Sequence, residues 1–106
     1  MLRVLSIFGT RPEAVKMAPV VKTLAATPSI LSRVCVTAQH RQMLDQVLEA
    51  FDIHPDLDLN LMRPNQSLAQ LTAEIFTHLD PVLAQEKPDW VLVQGDTTTV
   101  MAAALL

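Results

Sequence analysis

The stretch LRVLSIFGTRPEA, residues 2–14, decides the fold class of this chain. Its first part, Leu2 to Phe8, is rich in branched residues and apolar on both faces, which is typical of a buried strand in a parallel sheet. Gly9 and Thr10 follow at once, and Thr10 stands three residues before Glu13, the spacing of a capping box. A buried strand that passes through a glycine into a capped helix indicates an α/β protein.

The same alternation of strand-like and helical spacing continues along the rest of the chain. The predicted elements are a helix over Pro12 to Ala26, a strand over Arg33 to Ala38, a helix over Arg41 to Phe51, a short strand over Leu57 to Leu61, a helix opened by the capping box of Ser67 and Gln70, a buried strand over Trp90 to Val93, and a helix from Asp96 onward. This order predicts a Rossmann-like parallel sheet with flanking helices.

Two prolines conflict with the predicted helices because proline removes a backbone donor. Pro19 indicates either a kink or a later helix start, and Pro81 predicts a kink or a division of its helix. The chain ends inside an apolar helix that has no capping residue or glycine. We therefore expect residues 1–106 to be a truncated domain.

Composition excludes several classes of protein. Eight Lys and Arg are scattered among eleven acidic residues, and the chain has four aromatic residues, three Phe and one Trp, so neither a basic patch nor a base-stacking surface is indicated. No apolar run approaches the ~20 residues of a membrane helix, and the start does not resemble a signal peptide. The single cysteine, Cys35, lies in an apolar run and is interpreted as a core residue. We expect a cytoplasmic protein that binds neither nucleic acid nor membrane.

The two glycines, Gly9 and Gly95, each follow a predicted strand and precede a helix. Ligands of open parallel sheets bind at the carboxyl ends of the strands. Glycine allows close approach of the backbone, and the helix amino terminus offers N–H groups and positive potential to an anion. The alternative is that two tight turns simply need glycine.

Three charged residues flank these turns. Arg11 and Lys16 could both meet a phosphate, although each could equally be a solvated surface charge. Asp96 could act as an acid or base, or hold a sugar hydroxyl, but aspartate is also a common helix cap.

Several familiar sites are excluded by their missing motifs. The chain has no GxGxxG after the first strand, no P-loop and no nucleophile elbow. His40, His54, His78 and Cys35 lack metal-ligand spacing, so no metal is expected. The residues by themselves indicate an anionic, phosphorylated ligand on a Rossmann-like unit.

Three motifs resemble those of bacterial non-hydrolysing UDP-N-acetylglucosamine 2-epimerases. They are FGTRPEAVKMAP at 8–19, TAQHRQMLDQ at 37–46, and KPD at 87–89 with GDTTT at 95–99, in the same order and at the same intervals as in that family.

This resemblance implies that residues 1–106 are a partial amino-terminal Rossmann-like domain, part of the amino-terminal half of a two-domain fold of the GT-B type, with a UDP-binding carboxy-terminal domain beyond this chain. It implies interconversion of UDP-N-acetylglucosamine and UDP-N-acetylmannosamine without a redox cofactor. Arg11 and Lys16 would bind substrate, and Asp96 would bind substrate and belong to the catalytic set. The other catalytic carboxylates would follow Leu106, so the fragment alone should be inactive. The full-length protein would be a homodimer.

The resemblance also implies an allosteric role for two glutamines. Gln39 and Gln42 match positions beside which some bacterial members bind a second UDP-N-acetylglucosamine, although they could equally be polar residues at a helix start. Some relatives have a basic residue near the position of Asn65 that helps to hold the effector, and its absence here argues against an allosteric role. Gln94 stands where many have histidine, so no role of that imidazole carries over.

Other functions remain open at this stage. A hydrolysing epimerase and a GT-B glycosyltransferase use the same kind of substrate, and a non-catalytic nucleotide-sugar-binding module is an alternative of a different class.

Overall fold

The structure is a computed structural model that describes residues 1–37, 41–61, 66–94 and 98–105. Its elements are β1 (Leu2–Phe8), α1 (Arg11–Ala25), β2 (Ile30–Val36), α2 (Arg41–Ala50), β3 (Leu57–Asp58), α3 (Leu68–Glu86), β4 (Trp90–Leu92) and α4 (Thr98–Leu105). The predicted order of strands and helices is confirmed. None of the helices in these ranges is long and apolar enough to cross a membrane.

The four strands form one sheet in the order β3-β2-β1-β4. All the pairings are parallel, with Leu2 opposite Ile30, Val4 opposite Trp90 and Cys35 opposite Leu57. The predicted parallel sheet is therefore confirmed. The chain moves outward from β1 through β2 to β3 and then returns to the other side of β1 for β4. A topological switch point, where ligands of such sheets bind, therefore lies between β1 and β4.

Helices cover both faces of the sheet, and this explains why β1 is apolar on both sides. Successive strand residues point to opposite faces, so Phe8 packs in one core and its neighbour Ile7 packs in the other. The first core lies under α1 and α2, and its members include Phe8, Met17, Val34, Val36, Leu44 and Leu48. The second core lies under α3 and α4, and its members include Leu5, Ile7, Cys35, Ile75, Leu79 and Ala103.

Several predicted strand properties are corrected by the structure. The second strand begins at Ile30 and ends at Val36, and the third has two residues, Leu57–Asp58. The prediction that Trp90 is buried is wrong, because its exposed fraction is 62%. Trp90 begins β4, which is the edge strand of the described sheet, and α1 packs against β1 and β2.

Both prolines lie inside continuous helices, so a later start at Pro19 and a division at Pro81 are wrong. A proline leaves unpaired the carbonyl four residues earlier. Those carbonyls belong to Val15 and Thr77, and all four residues are on exposed sides of their helices. Water can therefore satisfy the carbonyls without breaking either helix.

Candidate functional site

The turn after β1 lies at the switch point. Gly9 and Thr10 connect the end of β1 to the start of α1, and both are buried. Since β4 runs parallel beside β1, the carboxyl ends of the two strands face the same edge of the sheet. Gly95 and Asp96 follow β4 but lie outside the described residues, so their part in a shared site stays a prediction.

A buried carboxylate holds this turn together. Glu13 is only 2% exposed, and its Oε1 accepts hydrogen bonds from the Gly9 N–H at 3.2 Å, the Thr10 N–H at 3.1 Å and the Thr10 hydroxyl at 2.8 Å. The predicted capping box of Thr10 and Glu13 is therefore confirmed. An acidic side chain in the first turn is also favoured by the helix dipole.

The same contacts correct the expectation that this turn offers its backbone N–H groups to an anion. The Gly9 and Thr10 N–H groups already donate to Glu13, and Pro12 has no N–H. Within Gly9–Pro12, the N–H of Arg11 is the backbone donor for which the described residues supply no acceptor. Recognition of a phosphate at this turn would therefore depend on cationic side chains more than on the helix amino terminus.

Arg11 and Lys16 are both exposed and belong to α1, but they do not share one face of it. Arg11 is the first residue of the helix. Lys16 comes five residues later, so it is rotated by roughly 140° about the helix axis. The buried face of α1 contains Ala14, Met17, Ala18 and Val21, and Lys16 lies on the opposite, outer side. The predicted joint role of the two cations at the sheet edge stays a prediction.

The second motif begins beside the same turn. Thr37, fully buried, donates its N–H to the Phe8 carbonyl at 3.1 Å, and its own carbonyl accepts from the Leu61 N–H at 2.9 Å. It thus ties the end of β1 to the chain that follows β3. Gln42 is exposed as the second residue of α2, and Gln39 lies outside the described residues. The choice between effector binding and a polar helix start stays open.

The opposite edge of the sheet carries an ion-pair network that the sequence did not reveal. Arg33 Nε donates to Glu86 Oε1 at 2.7 Å, and Arg33 also lies 3.4 Å from Asp56. The hydrogen bond that Arg33 donates to Glu86 is the main cause that raises the pKa of Arg33. A cavity of about 200 Å³ there is lined by Arg3, Arg33, Glu86 and Pro88, among others. This network fastens α3 to β2 near the amino ends of β1 and β4, at the opposite end of these strands from the Gly9–Thr10 turn.

The interpretation of Cys35 as a core residue is confirmed, since the side chain is fully buried as a free thiol. Burial is the main cause that raises the pKa of the Cys35 thiol to about 12. The described residues contain no group of three or more His, Cys, Asp or Glu side chains that could hold a metal ion.

The parallel sheet with helices on both faces defines a Rossmann-like α/β unit, and comparison with known proteins identifies its family. The family model described as UDP-N-acetylglucosamine 2-epimerase matches residues 22–106. The chain belongs to the UDP-N-acetylglucosamine 2-epimerase family. The first motif, at 8–19, lies outside that match, so it is independent of it.

Individual relatives cover the first motif as well. The chain is 61% identical over 104 residues to a putative UDP-N-acetylglucosamine 2-epimerase of Clostridium acetobutylicum, which covers 98% of this chain and 27% of that protein. It is 59% identical over 104 residues to the UDP-N-acetylglucosamine 2-epimerase of Escherichia coli K12, with 98% of this chain and 28% of that protein covered.

A solved structure shows the same fold. The crystal structure of UDP-GlcNAc 2-epimerase from Neisseria meningitidis bound to UDP-GlcNAc matches with a TM-score of 0.89 at 59% identity, covering 98% of this chain and 28% of that one. The chain thus spans a little over a quarter of the length of the relatives that it matches.

Proposed function

We propose that the full-length protein interconverts UDP-N-acetylglucosamine and UDP-N-acetylmannosamine without releasing free sugar. The observation that carries this proposal is the family membership, with 59–61% identity over 98% of the chain. The bound UDP-GlcNAc named for the Neisseria structure supports a nucleotide sugar as the ligand. The position of the first motif at the switch point supports binding at that edge.

The proposed reaction is an elimination followed by an addition. A base removes the proton from C2 of the sugar, the C1–O bond breaks, and UDP leaves with the electron pair of that bond. The product of this step is 2-acetamidoglucal, with a double bond between C1 and C2. Protonation of C2 on the other face and return of the UDP oxygen to C1 then give the epimer. No electrons are exchanged with a cofactor, so none is proposed.

Three residues of this chain are proposed for the site. Arg11 and Lys16 would bind near the diphosphate, where a cation offsets the charge that develops on departing UDP. Asp96 would be a carboxylate of the catalytic set, moving a proton or orienting the sugar. Further carboxylates and most UDP contacts would come from residues that follow Leu106, and a second domain of a GT-B-type fold would bind the UDP. We propose accordingly that the 106-residue chain alone is inactive.

Three further properties remain predictions for the full-length protein. They are an effector site at Gln39 and Gln42, a homodimer, and a cytoplasmic location.

The test is to incubate the full-length protein with UDP-N-acetylglucosamine in D₂O and to follow both sugars by NMR. Formation of UDP-N-acetylmannosamine with deuterium at C2 is the expected result. Free N-acetylmannosamine with UDP would instead indicate a hydrolysing enzyme, and transfer of the sugar to an acceptor would indicate a glycosyltransferase. Binding without any turnover would indicate a non-catalytic module.

The variant Asp96→Asn tests the role of the carboxylate in this assay. Asn caps a helix nearly as well as Asp, but its amide cannot take up and release a proton as a carboxylate does. Loss of general acid–base catalysis lowers rates by about 10²–10⁴-fold, so we expect such a loss of deuterium exchange at an unchanged melting temperature. Asp80→Asn, on the exposed side of α3, is the matched control and should exchange like the wild type. Wild-type exchange in Asp96→Asn would contradict the catalytic assignment.

A further inference from the structure

Glu13 has no part in the proposed chemistry, yet it lies buried at the switch point. Among the residues whose burial the structure describes, it is the only acidic side chain in the core. Burying a carboxylate costs free energy unless it is well hydrogen-bonded. Here three donors on two successive residues converge on its Oε1. The Glu13 carboxylate therefore restrains the conformation of Gly9 and Thr10.

A charged, buried acceptor is more than a helix start requires. In the same chain, α3 starts with Ser67 and Gln70, a neutral pair that is exposed on the surface. That pair satisfies the helix start with one hydrogen bond in each direction, from the Ser67 N–H to Gln70 Oε1 at 2.8 Å and from the Gln70 N–H to Ser67 Oγ at 3.1 Å. Capping alone therefore does not explain why a buried glutamate, Glu13, stands at the start of α1.

The residues that Glu13 restrains lie directly before Arg11. Gly9 has no Cβ and would otherwise allow many backbone conformations between β1 and α1. The bonds from the Gly9 and Thr10 N–H groups fix the turn, and Thr10 adopts an extended conformation with φ of −124° and ψ of 164°. The direction in which Arg11 leaves the turn follows from that geometry.

We propose that Glu13 is a positioning residue that holds the Gly9–Thr10 turn so that Arg11 meets the diphosphate of the nucleotide sugar. By accepting from the two N–H groups, Glu13 also transfers recognition of the anion from the backbone to the guanidinium. The proposal rests on the proposed function for the substrate, but the role of Glu13 comes from the contacts in this structure.

The experiment is a double-mutant cycle in the full-length enzyme, with kcat/KM for UDP-N-acetylglucosamine as the readout. Glu13→Asp keeps the charge, but its side chain is one methylene shorter. Its carboxylate therefore cannot accept from the Gly9 and Thr10 N–H groups unless the turn moves. A misplacement of about 1 Å can cost up to about 100-fold in rate, so we expect Glu13→Asp to lower kcat/KM by at least about tenfold. In an Arg11→Ala background, the same change should lower kcat/KM by less than about threefold, since coupled residues are not additive.

A purely structural role of Glu13 predicts a different outcome. The loss would then be equal in both backgrounds, and that result, or an unchanged kcat/KM in Glu13→Asp, would overturn the proposal. The control is Gln70→Ala, which weakens the capping box of α3 and should lower the melting temperature slightly while kcat/KM stays at the wild-type value.

Two arrangements keep the test decisive. If Glu13→Asp does not fold, Glu13→Gln replaces it in the cycle. The amide has nearly the same size and its oxygen can still accept from the three donors, but the charge that strengthens these bonds is lost and the second oxygen becomes an NH2 group. We then expect Glu13→Gln to lower kcat/KM by about threefold or more in the wild-type background and to leave it unchanged in the Arg11→Ala background. An equal loss of kcat/KM in both backgrounds overturns the proposal.

If the wild-type enzyme binds UDP but does not act on the sugar, the proposed function fails. The cycle is then read on the Kd for UDP, with the same expected and contrary results.

Discussion

The starts of α1 and α3 use the same local motif in two different environments. At α1 the motif is Thr10 with Glu13, and Glu13 is 2% exposed. At α3 the motif is Ser67 with Gln70, and both side chains are exposed. The carboxylate of Glu13 accepts three hydrogen bonds, whereas the Gln70 side chain accepts one, from the Ser67 N–H.

This difference indicates that the contribution of a capping motif to stability depends on whether the motif is buried or exposed. At α3, water can replace any hydrogen bond that the side chains lose. At α1, the donors are shielded by the sheet and by α1 itself, so a missing acceptor leaves buried polar groups unsatisfied. The two helix starts therefore offer a direct comparison of one motif in a buried and in an exposed position.

The largest expected effect is that of Glu13→Ala on stability. Each buried donor left without an acceptor costs about 1–3 kcal/mol, and three donors lose theirs, so we expect the free energy of unfolding to fall by about 3 kcal/mol or more. Urea unfolding of the full-length protein measures this, and hydrogen exchange at the Gly9 and Thr10 N–H groups locates it. A loss no larger than that of Gln70→Ala would mean that water reaches the α1 turn.

An intermediate effect is expected for Ser67→Ala. Replacing a serine N-cap by alanine lowers stability by about 0.5–2 kcal/mol. Because Ser67 is exposed, we expect its replacement to cost an amount near the lower end of that range. The same urea titration measures the change, with Ser29→Ala, an exposed serine before β2, as the control for a serine outside a capping motif. A loss as large as that of Glu13→Ala would abolish the distinction between the two helix starts.

The smallest effect, and the only gain, is expected for Gln70→Glu. This change gives α3 the acidic residue that α1 has, and a negative charge in the first helical turn stabilises by about 0.3–1 kcal/mol at low ionic strength. The gain should decrease as salt is added, because the site is exposed. A destabilisation that persists at every salt concentration would show that the amide of Gln70 has a role that a carboxylate cannot replace.

Part of the candidate site could be predicted from local spacing. Gly9 after a buried strand, and Thr10 three residues before Glu13, were sufficient to predict a ligand-edge turn with a capping box. Local spacing could not show that Glu13 is buried or that it occupies the N–H groups expected to bind the anion. The three donors lie within four residues of Glu13, but the burial of the carboxylate depends on how α1 packs on the sheet, which local spacing does not contain.

The strands show the same limit. The apolar run of β1 correctly predicted burial, because both of its neighbours, β2 and β4, pair with it. The similar run at β4 wrongly predicted burial for Trp90, because burial there depends on the strand's place at the edge of the sheet and on which strands α1 covers.

The sequence by itself determined the order of strands and helices, the parallel sheet, the helix starts and the family, since each follows from residue types at short spacing or from motifs preserved along the chain. Only the tertiary structure decided the burial of Glu13, the occupied N–H groups of Gly9 and Thr10, the pairing of Arg33 with Glu86 and the exposure of Trp90. The physical reason is that desolvation and charge pairing depend on residues distant in sequence. Arg33 and Glu86 are 53 positions apart in the sequence, yet Arg33 Nε lies 2.7 Å from Glu86 Oε1.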